Sequence, residues 1–141
     1  LDEMRKGTDL DTTRRFLADA ATAGLSVRVT MILGYPGERP SDVEASAAFL
    51  EESADRIERV ALNRFVLVTG SRLHRSIERE PAAFADLGAL RPNHRQALLD
   101  HQFAPAREPA YRRAVSRLLG AVHRINRRPI REAASEFEGV M

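Results

Sequence analysis

Two β-rich runs that flank an amphipathic helical pattern constrain the fold of this chain most strongly. The first run covers Val27–Leu33 and the second covers about Val60–Val68. A strand, a helix and a strand at this spacing form a βαβ unit, in which the strands lie parallel and the crossover is right-handed. Another helical pattern precedes the first strand. The sequence therefore predicts an α/β fold in the order α-β-α-β, which is typical of a barrel or a doubly wound sheet.

Alternation within the first strand predicts which of its faces is buried. One face is apolar and consists of Val27, Val29, Met31 and Leu33. The other face is mixed and consists of Arg28, Thr30 and Ile32. Because successive side chains of a strand point to opposite sides, we expect the apolar face to pack against helices and the mixed face to lie on the other side.

Caps and periodicity predict the helices around this unit. Thr8 and Asp11 are spaced as a capping pair for a first helix, which Gly24 ends. Ser41–Glu44, directly after Pro40, forms a capping box that predicts the start of the central helix. The stripe of this helix that packs on the sheet is expected to consist of Val43, Ala47, Leu50, Ala54 and Ile57.

The second half of the chain is predicted to be helical and rich in loops. From about Leu73 onward, prolines divide the segment into short pieces, and no further strand is expected. Helical spacing of apolar residues predicts an amphipathic helix over about Pro109–Asn126, and Ile130–Phe137 is expected to form a last short helix. We therefore divide the chain into an α/β part, residues 1–75, and a helical, arginine-rich C-terminal extension, residues 76–141.

Residue types exclude several classes of site. The chain has no cysteine, so it can form no disulfide, no thiolate metal site and no cysteine nucleophile. The four histidines, His74, His94, His101 and His123, are too widely spaced for a compact metal site, and none is predicted. No apolar run approaches the ~20 residues that cross a bilayer, so we expect a cytoplasmic protein without membrane contact.

The stretch Arg107–Arg131 is strongly basic, with eight arginines and one acidic residue. Arginines at this density contact phosphates in many nucleic-acid-binding proteins. Tyr111 is the one aromatic residue there that could stack on a base, and no nucleic-acid module is present. We therefore expect a solvated helix face, with an acidic partner, a membrane surface or nucleic acid as alternatives.

Ligand-binding residues are expected where the two parallel strands end, since loops converge at the carboxyl ends of parallel strands. The first strand end carries Gly34, Pro36, Gly37 and Glu38, and the second carries Thr69, Gly70 and Ser71. Glycines at a strand end allow a flat or charged ligand to approach the backbone. The same residues are also typical of a tight connection with a solvated glutamate, and the spacing alone does not separate the two interpretations.

Four segments in order resemble the second half of a radical S-adenosylmethionine (radical SAM) enzyme domain. They are Leu1–Thr8, Ala23–Leu25, Met31–Glu38 and Gly70–Leu73. The resemblance covers about residues 1–73, and its most specific part is the strand followed by the Gly-x-Pro-Gly-Glu turn. The chain is most similar to the group whose members usually carry a cobalamin-binding domain upstream. Methylthiotransferases and oxygen-independent coproporphyrinogen oxidases are more distant relatives.

The resemblance implies a fold and a set of cofactor-binding residues. The family fold is a partial, TIM-barrel-like barrel of six β/α units, of which this chain would supply the last two parallel units, followed by its helical extension. Ile32 and Gly34 would contact the adenine of S-adenosylmethionine, and Pro36, Gly37 and Glu38 would shape the loop beneath it. Backbone contacts to adenine would involve Leu67, Val68 and Thr69. Thr30 stands where the family motif has a glycine, and Glu38 comes one residue later than in its shortest form.

The resemblance also implies that the chain is an incomplete catalyst. The family's [4Fe-4S] cluster is held by three cysteines in a loop after the first strand, and this chain has none. Leu1–Lys6 has the pattern of a helix end whose beginning is missing. We therefore expect a fragment without catalytic residues, whose partner is the missing N-terminal barrel portion. The cluster, and cobalamin where its domain is present, would belong to the full-length protein.

The reaction type and the substrate are left open by the sequence. Methyl transfer, ring formation, methylthiolation and decarboxylative oxidation all occur within the resembled family. An alternative from a different class is a small α/β binding module whose basic C-terminal helix engages an acidic or nucleic-acid partner.

Overall fold

Four α-helices and five β-strands occur in the part of the chain described by a computed structural model, residues 9–130. The helices are α1, Leu10–Thr22; α2, Pro40–Glu52; α3, Arg72–Arg79; and α4, Pro109–Asn126. The strands are β1, Arg28–Leu33; β2, Arg59–Arg64; β3, Leu67–Val68; β4, Arg91–Asn93; and β5, Leu98–Asp100. The strands form two separate sheets, and the described residues form no closed barrel.

The first sheet is the parallel pair β1–β2 that the βαβ pattern predicts. Arg28 lies opposite Arg59 at one end and Leu33 lies opposite Arg64 at the other, with α2 between the strands in the chain. Residues of β1 alternate between exposed and partly buried along its whole length. The apolar face of β1 packs against the core, so the predicted alternation and the predicted parallel strands are confirmed.

The main hydrophobic core lies between this sheet and the helices α2 and α4. The predicted stripe of the central helix is confirmed, since its members are buried or packed against the core even though α2 itself ends at Glu52. From α4, the core receives Tyr111, Ala114, Leu118, Ala121 and Ile125. Helix α4 has the bounds that the sequence predicts. Most of its predicted apolar stripe faces the core, whereas Leu119, which belongs to the same predicted stripe, is exposed.

Helix α4 is fixed to β2 and to α2 by polar contacts as well. The Asn126 side chain accepts a hydrogen bond from Val60 N at 2.8 Å and donates one to Val60 O at 2.9 Å. It thereby satisfies both backbone groups of Val60. On the exposed side, Glu51 of α2 forms ion pairs with Arg117 at 2.7 Å and with Arg124 at 2.9 Å. The end of α4 therefore covers the start of β2.

The second sheet is antiparallel, in the order β3-β5-β4, and the sequence analysis missed it. The prediction of one continuous strand over Val60–Val68 is wrong. Phe65 N still donates to Leu33 O at 2.8 Å, but the chain then leaves β1, and Leu67 is buried in a second core cluster.

The expectation of no strand after Leu73 is also wrong, because β4 and β5 lie there. Each has three residues, which is too short to show alternation, and Pro92 is tolerated because β4 is an edge strand.

Helix starts differ from the predicted ones by one or two residues. The cap of α1 is Asp9, whose Oδ1 accepts from Thr12 N at 2.8 Å. The cap of α2 is Arg39 rather than Ser41, and its N–H donates to Asp42 Oδ2 at 2.8 Å. Gly24, at φ +73°, follows the C-cap of α1, which confirms the predicted stop.

Some predictions are not settled by the described residues. The helices expected over Leu1–Lys6 and Ile130–Phe137 lie outside them, apart from Ile130. The domain boundary at residue 75 stays a prediction. The two core clusters do not follow this boundary. Residues of α4 belong to the first cluster, and the second cluster consists of residues within 65–103.

Two neighbouring leucines on α4 provide a direct check of this packing. Leu118 is 2% exposed in the core, and Leu119 is 51% exposed on the outer side of the helix. Leu118→Ala should lower the free energy of unfolding by about 2–5 kcal/mol, because it leaves a cavity. Leu119→Ala should change it by no more than about 0.5 kcal/mol. Urea unfolding followed by circular dichroism measures both, and equal losses would contradict the assigned helix face.

Candidate functional site

The loop at the carboxyl end of β1 is a tight turn with two glycines in the left-handed region. Gly34 and Gly37 both have φ +83°, and Glu38 N donates to Tyr35 O at 2.9 Å. A Cβ atom at Gly34 would lie 3.8 Å from Phe103 Cδ1, which is an ordinary contact. The backbone conformation, rather than lack of space, therefore favours glycine at position 34.

The Glu38 carboxylate holds this turn together from inside the protein. Its Oε2 accepts hydrogen bonds from Gly34 N at 2.8 Å and from Tyr111 Oη at 2.5 Å. The Tyr111 ring is buried and contacts Phe103 edge to face, with 5.4 Å between ring centroids. Glu38 thus braces the turn, while the roles expected for Pro36, Gly37 and Glu38 beneath an adenine ring stay a prediction.

Both members of the Glu38–Tyr111 pair have a raised pKa. Burial raises the pKa of Glu38 above its ordinary value, although the hydrogen bonds from Tyr111 and Gly34 act in the opposite direction. Burial also raises the pKa of the Tyr111 hydroxyl, and the hydrogen bond to the Glu38 carboxylate raises it further. Tyr111 therefore remains a hydrogen-bond donor to Glu38 at neutral pH.

Residues between β2 and α4 also contact this loop. Gly37 N donates to Asp86 Oδ2 at 2.7 Å, and Pro36 is buried. The Tyr35 ring contacts the Phe65 ring edge to face, with 5.3 Å between the ring centroids. The Phe65 ring also lies against the His101 ring, with 5.6 Å between their centroids. Residues far away in the sequence thus fix the loop at several points.

The mixed face of β1 is exposed, together with the matching face of β2. Ile32 is 43% exposed and lies opposite Asn63, and Thr30 lies opposite Ala61. The Asn63 side chain is exposed. An apolar side chain, an amide and a glycine turn therefore occur together at the carboxyl end of the parallel pair. This set can contact a flat heterocycle and offer hydrogen bonds to its edge.

The residues predicted at the second strand end lie in the other sheet. The Leu67 side chain is buried in the second core cluster, and Val68 is exposed. Both pair with β5, and Thr69 N donates to Ala97 O at 2.9 Å. Ser71 caps α3 by accepting a hydrogen bond from His74 N at 3.1 Å. Adenine contacts of Leu67, Val68 and Thr69 stay a prediction.

Three residues of the site were not singled out from the sequence. Asn63 could have been found from the alternation along β2, since it lies on the face opposite the buried Val60 and the partly buried Leu62. The sequence presents Tyr111 as part of the apolar stripe of α4 and as a ring that could stack on a base, but not as a partner of Glu38. Asp86 lies in a proline-divided segment without a regular pattern, so no local signal links it to Gly37.

Other predicted features have structural roles or remain separate from this site. No group of three or more potential metal ligands occurs within residues 9–130. Among the helices described there, none has the length and apolar character needed to cross a membrane. A shallow groove of about 360 Å³ is lined by Arg72, Arg75, Glu78 and Arg79, none of which was predicted as a site residue.

Four of the arginines that the structure describes in the basic stretch have partners within the protein. Arg117 and Arg124 pair with Glu51, Arg107 donates to Gln102, and Arg128 donates to Ile57 O. The two pairs with Glu51 help to fix α4 to α2.

Comparison with curated proteins finds partial similarity to enzymes named ribosomal protein uS12 methylthiotransferase RimO. The chain is 41% identical over 54 residues to that of Flavobacterium psychrophilum, 40% over 67 residues to that of Roseiflexus sp., and 37% over 73 residues to that of Herpetosiphon aurantiacus. The alignments cover 37%, 46% and 50% of this chain, but only 12%, 14% and 15% of the relatives. No family model matches the chain, and no solved structure matches it significantly.

Methylthiotransferases are among the radical SAM enzymes that the sequence motifs indicate. The partial matches therefore support a relationship to the radical SAM superfamily. They do not distinguish its cobalamin-associated group, which stays a prediction, as does cobalamin itself.

The pH dependence of stability should reveal the half-buried Glu38 carboxyl group. Since its pKa is raised in the folded chain, Glu38 binds a proton at a higher pH when folded than when unfolded. The wild-type chain should therefore gain stability relative to Glu38→Gln as the pH falls from the raised pKa toward 4.5, the ordinary pKa of this group. Urea unfolding at a series of pH values measures the difference.

The comparison with a variant is needed because Glu51 acts in the opposite direction. The hydrogen bond from Arg117 lowers the pKa of Glu51, so its contribution to stability falls once the pH drops below its ordinary pKa. Glu80→Gln, at an exposed position, shows the effect of losing one surface charge. The prediction is contradicted if the free energy of unfolding of the wild type, relative to that of Glu38→Gln, does not rise as the pH falls over this range.

Proposed function

We propose that this chain is the C-terminal portion of a radical SAM enzyme, and that β1 with its glycine turn contributes adenine contacts to S-adenosylmethionine. The observation that carries the proposal is the exposed outer face of a two-stranded parallel sheet that ends in this turn. Parallel sheets are normally covered on both faces, so an exposed face on such a small sheet favours further protein or a ligand there.

The two edges of this sheet differ in a way that supports the proposal. The start of β2 is covered by Asn126, which bonds to both backbone groups of Val60. Within residues 9–130, β1 pairs with β2 alone, so its other edge has no strand partner. Since unpaired edges are normally paired, covered or protected, the missing strands would add beside β1. The partner is thus the N-terminal barrel portion.

The residues at the strand end fit an adenine ring. The exposed Ile32 side chain would pack against the ring, and the Asn63 amide on the same face could bond to its edge. Gly34 would let the ring approach the backbone. S-adenosylmethionine supplies the sulfonium group that radical SAM enzymes cleave. The residues do not fit an iron-sulfur cluster, because this chain has no cysteine to ligate it, and the cluster is assigned to the rest of the protein.

The activity of the complete protein is part of the proposal. Because the matched curated relatives are named methylthiotransferases, methylthiolation has support among the reaction types that the sequence leaves open. The matches span about one seventh of those relatives, so they carry no information about the substrate-binding residues elsewhere.

A charge at position 32 tests the assigned adenine contact in the complete enzyme. Ile32→Asp should weaken S-adenosylmethionine binding at least roughly tenfold, because a carboxylate would be desolvated against the ring. Leu25→Asp is the matched control, since Leu25 is 59% exposed and precedes β1 at the end opposite the turn. Isothermal titration calorimetry measures both affinities. Unchanged affinity of the Ile32→Asp enzyme would refute the site.

A further inference from the structure

The peptide group between Leu33 and Gly34 is held from both sides at the end of β1. Its carbonyl oxygen, Leu33 O, accepts from Phe65 N at 2.8 Å. Its N–H, on Gly34, donates to Glu38 Oε2 at 2.8 Å. Because a peptide group is planar, these two bonds together fix the orientation of the plane. This peptide plane lies one residue beyond Ile32. Its orientation therefore sets the direction in which the backbone of the turn continues from the sheet.

The second of these bonds depends on a residue from the far end of the chain. Tyr111 Oη donates to the same Glu38 oxygen at 2.5 Å, across a sequence separation of 73 residues. We propose that Tyr111 is a positioning residue: its hydroxyl fixes the Glu38 carboxylate, which fixes the Gly34 amide and prepares the turn for its ligand. The inference rests on the proposed function for the identity of that ligand, S-adenosylmethionine.

Packing alone does not explain a tyrosine at this position. The ring is buried and already contacts Phe103 edge to face, and a phenylalanine would supply the same apolar surface. Burying a hydroxyl group is unfavourable unless it forms a hydrogen bond. Here the hydroxyl donates to Glu38, and the same Glu38 oxygen accepts from the Gly34 amide of the turn. The contact therefore connects α4 to the backbone of the candidate site.

A second, independent contact provides an internal control. Gly37 lies in the same turn, and its N–H donates to Asp86 Oδ2 at 2.7 Å rather than to Glu38. A change that merely loosens the whole loop would affect the amides of Gly34 and Gly37 alike. A change that acts through Glu38 would affect Gly34 more strongly.

Amide hydrogen exchange measured by NMR on the 141-residue chain tests the positioning step without any ligand. Tyr111→Phe keeps the ring and removes only the hydroxyl. It should speed exchange at Gly34 by roughly three- to tenfold relative to Gly37, the range expected for one weakened hydrogen bond. Asp86→Ala should have the reverse preference. Equal acceleration at both glycines in Tyr111→Phe, or none at Gly34, would overturn the proposal.

Ligand binding by the complete enzyme tests the functional step. Tyr111→Phe should raise the KM for S-adenosylmethionine roughly three- to tenfold with little change in kcat, because the hydroxyl orders the site and touches no reacting atom. If Ile32→Asp weakens binding but Tyr111→Phe does not, the positioning role is wrong and the proposed site stands. If neither change affects binding, the proposed function fails, and the ligand role of Tyr111 fails with it.

Discussion

The packing of α4 against the inner face of the β1–β2 pair is the interaction on which the rest of the structure depends. A parallel pair of strands cannot be stable alone, and α2 covers only part of its apolar face. Helix α4 completes the cover with residues such as Leu118. Because it contacts Glu38 near its first turn and Val60 at its last residue, α4 runs the length of the sheet against the strand direction. One helix therefore completes the core, covers an edge and braces the turn.

The candidate site is assembled from a local part and a distant part. The local part is the turn itself, in which Glu38 bonds back to Gly34 across four residues. The distant part consists of Tyr111, Asp86 and the aromatic rings around Phe103, which lie at least 48 positions beyond Glu38 in the chain. Both parts act on backbone groups. Within residues 9–130, the outward-facing side chains of Ile32 and Asn63 take no part in this bracing, and the proposed ligand would contact them there.

The short second sheet also has a structural purpose in this arrangement. It carries the chain from the end of β2 to the start of α4 and has its own small core around Leu67 and Leu99. Phe103 packs against both core clusters, so the two parts of the molecule are joined at the side of the turn. This junction brings Asp86 to Gly37 although neither belongs to a long helix or strand.

Much of the fold follows from the sequence alone, because it depends on local periodicity. Apolar spacing over six or more consecutive residues predicts four of its features. They are the parallel βαβ unit, the inward face of β1, the stripe of α2 and the bounds of α4. Likewise, the absence of cysteine determines that this chain cannot ligate a cluster. Only the tertiary structure decided where the strand over Val60–Val68 breaks, that three-residue strands pair after Leu73, and that Glu38 faces Tyr111. These outcomes depend on contacts between residues far apart in the chain, and such contacts leave no periodic pattern in the sequence.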